Sequence, residues 1–135
     1  MTIAIATTLH TAFDDAVRRT RDALSEQGFG VLTEIDVTTT LKNKLDEEIE
    51  DFLILGACNP ALAHRALEVD RQIGLLLPCN VVVRSDPHES GAVLVEAMDP
   101  QIMVSVADRE ALQPVADDAA TKLRAAIEAL TATAS

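Results

Sequence analysis

The sequence predicts an α+β fold in which helices, including a long C-terminal helix, pack on one face of an antiparallel-rich sheet. Strand-like and helical patterns alternate in the first half, turn-forming residues join strands in the second half, and a long apolar stripe at helical spacing follows. The 135 residues, of which 48% are hydrophobic, suffice to bury a single core. We therefore expect one domain over residues 1–135.

The first third of the chain predicts a strand, a helix and a second strand. Residues 2–8 form a short β-rich apolar run. Residues 11–14, Thr-Ala-Phe-Asp, have the form of a capping box, and Gly28 stands where a glycine ends a helix. Residues 31–37 alternate in character, so the odd-numbered residues are expected to share one face of strand two and the even-numbered residues the other.

The central segment predicts a buried strand followed by a helix. Residues 38–50 are polar and predict a short surface helix or an ordered loop, whereas residues 52–56 are continuously apolar, as in a strand buried on both faces. Asn59 and Pro60 then suit the N-cap and the first position of a helix that runs to about Val69.

The remaining residues predict a hairpin and the long helix. A strand over 79–84 is joined by turn-forming residues 85–91 to an antiparallel strand over 92–98. In this second strand, Val93, Val95 and Ala97 are expected to face one way, and Leu94, Glu96 and Met98 the other. Apolar residues recur at helical spacing over 112–130, and a frayed tail is expected after them, over residues 131–135.

One proline bears on where the long helix begins. Pro114 falls near its start, and a proline inside a helix removes a backbone hydrogen bond and clashes with the preceding turn. It is therefore expected either to kink the helix or to mark its effective start.

Charge and composition exclude two kinds of partner. The chain carries 11 basic and 22 acidic residues, a net charge of −11, with no Trp or Tyr. Such a surface repels a phosphate backbone and has little with which to stack bases, so we expect no nucleic-acid partner. Without a basic leader or an apolar run of about 18 residues, the sequence predicts no membrane partner and a cytoplasmic location.

The acidic balance also suggests an environment. Only three lysines accompany eight arginines, and an acidic, lysine-poor surface suits a chain that stays soluble at high salt. A salt-loving source is one hypothesis, and an ordinary acidic bacterial protein is the alternative.

Two copies of Cys-Asn provide the best candidate site. The only cysteines, Cys58 and Cys79, are each followed by asparagine, Asn59 and Asn80, and each pair lies at a predicted element boundary. In the cytoplasm such cysteines are more often free thiols than a structural disulfide. Cys58 precedes a helix N-terminus, which favours the thiolate; the alternative is a small buried residue after a buried strand.

Carboxylates form a second candidate cluster. Glu34 and Asp36 fall on one face of strand two and could bind a cation or act as an acid–base pair, the alternative being a solvated, charge-paired face. His64, six residues after Cys58, is the one further ligand near the thiols, but a helix would direct it elsewhere. We expect no metal site, because two thiolates do not complete a zinc site. Nucleotide-binding and common hydrolase motifs are absent, so a nucleotide-binding loop is not expected, and the sequence does not identify a cofactor.

Two long segments carry a family resemblance. Residues 52–67, Phe-Leu-Ile-Leu-Gly-Ala-Cys-Asn-Pro-Ala-Leu-Ala-His-Arg-Ala-Leu, and residues 73–83, Ile-Gly-Leu-Leu-Leu-Pro-Cys-Asn-Val-Val-Val, resemble the "domain of unknown function 302" family. The match extends to residues 28–31, 34–37 and 98–100. The resemblance implies a TATA-binding-protein-like α+β fold, a curved antiparallel sheet clasping a long helix, in a small prokaryotic protein that is often a homodimer. It implies no function.

Three functional hypotheses follow, and whether the protein is an enzyme stays open. The leading one is a small-molecule-binding or sensing module. The others are a thiol-dependent redox protein or enzyme with Cys58 as nucleophile and Cys79 as resolving partner, and a structural protein that forms a homodimer through an apolar sheet face. The ligand-binding residues of the leading hypothesis are Cys58, Asn59, Cys79 and Asn80, with Glu34 and Asp36 at the rim.

Overall fold

The structure is an antiparallel sheet with helices packed on it; it is a computed structural model that describes residues 3–132. The strands are β1 Ala4–Leu9, β2 Gly30–Asp36, β3 Phe52–Cys58, β4 Cys79–Ser85 and β5 Val93–Met98. The helices are α1 Phe13–Glu26, α2 Val37–Leu45, α3 Pro60–Val69, α4 Gln101–Ala107 and α5 Gln113–Ala132. The strands lie in the order β1-β5-β4-β3-β2, and every neighbouring pair is antiparallel. The predicted α+β class is confirmed.

The sheet has one face toward the helices and one face toward solvent. In β5, Val93, Val95 and Ala97 are buried while the residues between them keep part of their exposure, so the predicted alternation is confirmed. On the helix side, α5 packs against α1 and β1. We call the other side the open face; its side chains, assigned from the strand register, are Ala4, Ala6, Thr8, Thr33, Ile35, Phe52, Ile54, Asn80, Val82, Arg84, Leu94, Glu96 and Met98.

The start of α1 differs from the predicted capping box. The N-cap residue is Ala12, which has no capping side chain. Thr11 precedes it, and its hydroxyl donates a hydrogen bond of 2.7 Å to the Asp15 carboxylate instead. The end of α1 is as predicted: Gly28 adopts φ +82°, and its N–H donates to the Ser25 carbonyl at 3.0 Å, a local geometry that glycine adopts without steric cost.

A β-bulge divides strand two. The pairing of β2 with β3 shifts by one residue between Val31 and Thr33. Val31 therefore packs against the core, whereas Thr33 lies over Gly56 on the open face. The predicted common face for the odd residues of 31–37 is wrong because the bulged residue, Leu32, reverses the alternation.

The helices after β2 and β5 refine the sequence expectations. The polar segment after β2 contains α2, as one of the two alternatives predicted. The residues after β5 form α4, which was not predicted. The long helix α5 begins at Gln113, so Pro114 marks its start rather than a kink. Of the predicted frayed tail, Thr131 belongs to α5, and residues 133–135, like residue 2 of the predicted first strand, lie outside the described residues.

Candidate thiol site

The two cysteines meet where β3 ends and β4 begins. Cys79 pairs across the sheet with Ala57, the residue before Cys58, so the two Cα atoms lie about 6 Å apart given normal strand spacing. Both thiols are free. After Cys58 the chain passes through α3 and a 3₁₀ segment over Arg71–Leu76 and returns to the sheet as β4, antiparallel to β3. The two Cys-Asn motifs therefore lie at the same end of the sheet.

A small cavity lies against these thiols. Its volume is about 20 Å³, which is room for about one water molecule. It is lined by Phe29, Ala57, Cys58, Asn59, Leu62, Ala63, Ala66, Leu77, Cys79, Met103, Val115 and Ala119. Because Cys58, Ala63 and Leu77 keep part of their exposure, this side of the cavity faces solvent.

The two thiols differ in environment. Cys79 is 7% exposed, and burial, with a smaller contribution from the nearby Cys58, raises the pKa of its thiol to about 11. Cys79 is therefore a neutral thiol at physiological pH. Cys58 is partly exposed and lies directly before the N-cap of α3. Cys58 is thus the thiol that solvent reaches, and Cys79 is the inner one.

Asn59 is a structural cap at the edge of the cavity. Its Oδ1 accepts a hydrogen bond of 3.3 Å from the Leu62 N–H, which confirms the predicted N-cap. Its Nδ2 donates to the Gln27 carbonyl at 3.4 Å. The side chain therefore ties the start of α3 to the end of α1 and holds Cys58 in place between β3 and α3.

Three of the predicted site residues lie away from the cavity. Asn80 is exposed on the open face, since consecutive strand residues point to opposite sides of a sheet. Glu34 forms an ion pair with Arg21 of α1. Asp36 caps α2, accepting from the Thr39 N–H at 2.9 Å, and this bond, followed by one from the Thr39 hydroxyl, lowers the pKa of the carboxyl. The structure thus places Cys58, Asn59 and Cys79 at the cavity, and the other three predicted site residues elsewhere.

Sequence reasoning missed the contribution of α4. Met103, on that helix, lines the cavity. The available signal was the Asp99-Pro100 pair, which we interpreted only as the end of a strand. Asp99 in fact accepts a hydrogen bond of 3.0 Å from the Gln101 N–H at the start of α4, a helix-start pattern similar to Asn59-Pro60.

Histidine does not join the thiols. The side chain of His64 is 72% exposed on α3, and its Nε2 lies 3.0 Å from a carboxylate oxygen of Glu68. Within residues 3–132, no three His, Cys, Asp or Glu side chains cluster in a way that could hold a metal ion. No helix in that same range has the length and apolar character needed to cross a membrane.

Comparison with known proteins places this architecture in one family. A sequence model of the family described as "Domain of unknown function DUF302" matches residues 5–130. The chain is similar to a solved structure titled as an uncharacterized conserved protein DUF302 from Bacillus stearothermophilus, with 28% sequence identity and a TM-score of 0.86 over 95% of this chain and 98% of that one. A search of curated proteins gave no match.

Proposed function

This chain belongs to the DUF302 family, whose description carries no activity, and from its own residues we propose that it is a small-ligand-binding or sensing module. The proposed site is the cavity of Cys58 and Cys79. The observation that supports the proposal is that two free cysteines, from neighbouring strands, both line one cavity that faces solvent on one side.

The size of the cavity restricts the ligand. Sites for drug-sized organic molecules occupy roughly 300–1,000 Å³, whereas this cavity measures about 20 Å³. The ligand that fits is an ion or a molecule of very few atoms. The lining is mostly apolar, and the low local dielectric that such side chains create strengthens an electrostatic interaction made inside the cavity.

The position of the cavity suits a sensor. Its walls come from β3, β4, α3, α4 and α5, so a bound ligand would contact both layers of the fold. Close-packed elements respond to a changed volume by shifting as units. Occupancy at the thiols is therefore expected to alter how the helices pack on the sheet.

Native mass spectrometry tests the proposal on freshly purified protein. We expect extra non-covalent mass on the wild-type chain that is lost on denaturation. Ala63→Leu fills the solvent-facing side of the cavity and should abolish the extra mass, whereas Ala61→Leu, an exposed position of the same helix, should retain it. Bare wild-type chains, or extra mass that persists in Ala63→Leu, would contradict the proposal.

Thiol redox chemistry is the second candidate, favoured by the pairing of a partly exposed thiol with a buried one. The Cys58 thiolate would attack a small disulfide and release one thiol; Cys79, on losing its proton, would then attack Cys58 Sγ and release the second. The small disulfide gains two electrons, and the protein gains a Cys58–Cys79 disulfide.

Alkylation separates this candidate from ligand binding. We expect a redox Cys58 to react with iodoacetamide faster than free cysteine at neutral pH, and the chain to lose two hydrogen atoms in mass after treatment with oxidised glutathione. A rate no faster than that of free cysteine, or an unchanged mass, would reject it.

A further inference from the structure

A second depression lies on the open face, on the side of the sheet away from the helices. Its volume is about 310 Å³, which falls in the range of roughly 300–1,000 Å³ typical of sites for small organic molecules. Strands β1, β4 and β5 form its floor. The side chains that line it are Ile3, Ala4, Asn80, Val82, Glu96 and Met98.

The strand register explains how Glu96 comes to stand at this depression. Glu96 pairs with Ala6 of β1 on one side and with Val82 of β4 on the other, and the next residue of β5 on the same face, Met98, pairs with Ala4. The alanines of the edge strand are too small to cover the side chains of β5. Glu96 therefore keeps 31% of its side-chain exposure.

An arginine fixes Glu96 through one of its two oxygens. Arg84 Nε donates a hydrogen bond of 2.7 Å to Glu96 Oε1. Within residues 3–132, Oε2 accepts no hydrogen bond, and since no side-chain oxygen in that range is both buried and unbonded, solvent reaches Oε2. Glu96 is thus held in position and still has an oxygen that can accept from a ligand.

The electrostatic environment favours a positively charged ligand. The hydrogen bond to Glu96, followed by the charges of Glu96, Glu50 and Asp86, raises the pKa of Arg84, so one guanidinium faces three carboxylates. Asn80, the other polar side chain of the lining, is uncharged. With a net charge of −11 on the whole chain, both the site and the molecule attract cations and repel anions.

The lining favours an organic cation over a metal ion. Ca²⁺ takes six to eight oxygen ligands, whereas this depression offers one carboxylate, and the described residues contain no cluster of three His, Cys, Asp or Glu that could hold a metal. Ile3, Val82 and Met98 present apolar surface that only a carbon-containing ligand would remove from water. A ligand with an ammonium group and an apolar body matches both features.

We propose that this depression binds a small organic ammonium compound, with the charged nitrogen at Glu96 and the apolar body on Val82, Met98 and Ala4. The inference goes beyond the proposed thiol site, because it concerns the opposite face of the sheet. The ammonium group donates to Glu96 Oε2 while Arg84 keeps Oε1. Binding is non-covalent and transfers neither a proton nor an electron.

Three probes that share one ring system test the charge of the ligand. We would titrate 2-naphthylmethylammonium, 2-naphthylmethanol and 2-naphthoate separately into nitrogen-15-labelled protein at one fixed protein concentration. The ammonium probe should bind at least about 10-fold more tightly than the alcohol, the carboxylate should bind most weakly, and the largest amide shifts should fall on residues 80, 82 and 96–98. Equal binding of ammonium and alcohol, no binding of the ammonium probe, or largest shifts elsewhere would overturn the proposal.

A matched pair of variants tests the role of Glu96. Glu96→Gln keeps an oxygen for Arg84 but removes the charge, and should weaken ammonium binding by at least about 10-fold while leaving the alcohol nearly unchanged. Asp118→Asn removes another arginine-paired carboxylate, 2.7 Å from Arg65 on the helix side, and should bind like wild type. Equal losses in the two variants would show that net charge alone attracts the probe, which rejects the site.

A second pair of variants tests the location. Ala4→Leu fills the depression and should abolish binding of both the ammonium and the alcohol probe. Thr8→Leu makes a similar addition on the same strand and face, outside the lining, and should retain binding. Circular dichroism shows that each variant is folded, and equal affinities of the two would place the probe elsewhere.

This proposal and the thiol site can fail separately. Ala63→Leu alters the helix side of the sheet and should bind the ammonium probe like wild type, so loss of probe binding in that variant would reject the open-face site. Native mass spectra recorded without added probe test the thiol cavity, and their outcome leaves the probe titrations unaffected.

Discussion

At Cys79, folding changes the chemistry of a single side chain. Burial raises the pKa of this thiol from its ordinary value of 9.0 to about 11. Cys58, next to it in space, keeps access to solvent. Two residues with the same side chain therefore have different reactivity because one lies inside the core and the other lies at its edge.

The raised pKa of Cys79 predicts a loss of stability in alkaline solution. Below pH 9 both the folded and the unfolded chain keep this proton, and stability is complete. Between pH 9 and 11 only the unfolded chain loses the proton, so the free energy of unfolding falls as pH rises through that window. The total loss from this group is at most about 3 kcal/mol.

Urea unfolding of reduced, metal-free protein measures this effect. Circular dichroism is the suitable signal because the chain lacks Trp and Tyr, and the absence of Tyr also removes a competing titration. Cys79→Ala should lose much less stability over the same interval. An equally steep loss in that variant would show that other groups cause it.

Asn59 supports the thiol site through backbone capping. Asn59→Ala removes the acceptor for the Leu62 N–H and the donor to the Gln27 carbonyl, and should lower the free energy of unfolding by about 1 kcal/mol. Asn80→Ala alters the other Cys-Asn motif at an exposed strand position and should stay within about 0.5 kcal/mol of wild type. Urea titration measures the free energy of unfolding of both variants. Similar decreases in the two would contradict the different roles assigned to Asn59 and Asn80.

At the scale of elements, the bulge in β2 and the packing of β3 depend on each other. Thr33, from β2, and Pro78, just before β4, both lie close to the position that a Cβ on Gly56 would occupy on the open face. A side chain at residue 56 would meet both. The absence of a Cβ there lets β2 and the entrance of β4 close over β3 next to the thiol site.

Gly56→Ala is expected to destabilise the protein. The added Cβ would contact Thr33 Oγ1 and would approach Pro78 Cγ to 2.9 Å, and overpacking of this kind costs about 1–3 kcal/mol. Gly30→Ala is the matched control, since its added Cβ meets no atom within 4 Å. Thermal unfolding should show a clear decrease only for Gly56→Ala, and equal decreases would reject the steric explanation.

At the scale of the whole molecule, net charge opposes folding in dilute buffer. The net charge of −11 creates self-repulsion in the folded state, which salt screens, the Debye length falling from about 10 Å at 0.1 M to about 3 Å at 1 M. We expect the free energy of unfolding to rise with KCl near neutral pH, and the salt effect to be small near the pI of about 4.5. Unchanged stability in molar salt at neutral pH would contradict adaptation to salt.

The open face bears on assembly, and the homodimer stays a prediction. Five strands spaced by about 4.8 Å, each about 20 Å long, give a face of roughly 500 Å² in plan. A standard interface buries roughly 800 Å² per partner. If two copies pair through this face, their association is expected to be weak and to reverse on dilution.

Light scattering over a dilution series tests this prediction. Ile35, 51% exposed on the open face, is replaced by arginine, and Val106, 64% exposed on α4, provides the matched control. We expect a concentration-dependent mass for wild type and Val106→Arg and a monomer for Ile35→Arg. A wild-type monomer at all concentrations would reject the homodimer, and a dimer that Ile35→Arg leaves intact would reject this face.

Local chemistry made much of the fold readable from the amino-acid sequence. The Asn59-Pro60 helix start, the Gly28 helix end and the alternation along β5 were all predicted, because capping, backbone conformation and side-chain direction depend on residues near in sequence. The predicted capping box at Thr11 was wrong, because Thr11 lies one residue before the N-cap of α1. Its hydroxyl therefore donates to the Asp15 side chain and not to a backbone acceptor or donor of the helix.

The composition of the site depended on contacts between distant residues. The register of β4 on β3 sets Cys79 beside Cys58 and turns Asn80 to the opposite face. The bulge at Leu32 shifts the register of β2 on β3, and the sequence carries no visible signal for it. Met103 reaches the cavity from a helix more than forty residues after Cys58. Local patterns supply the elements and their faces, whereas register and helix packing follow from burying one common core, which no short segment encodes.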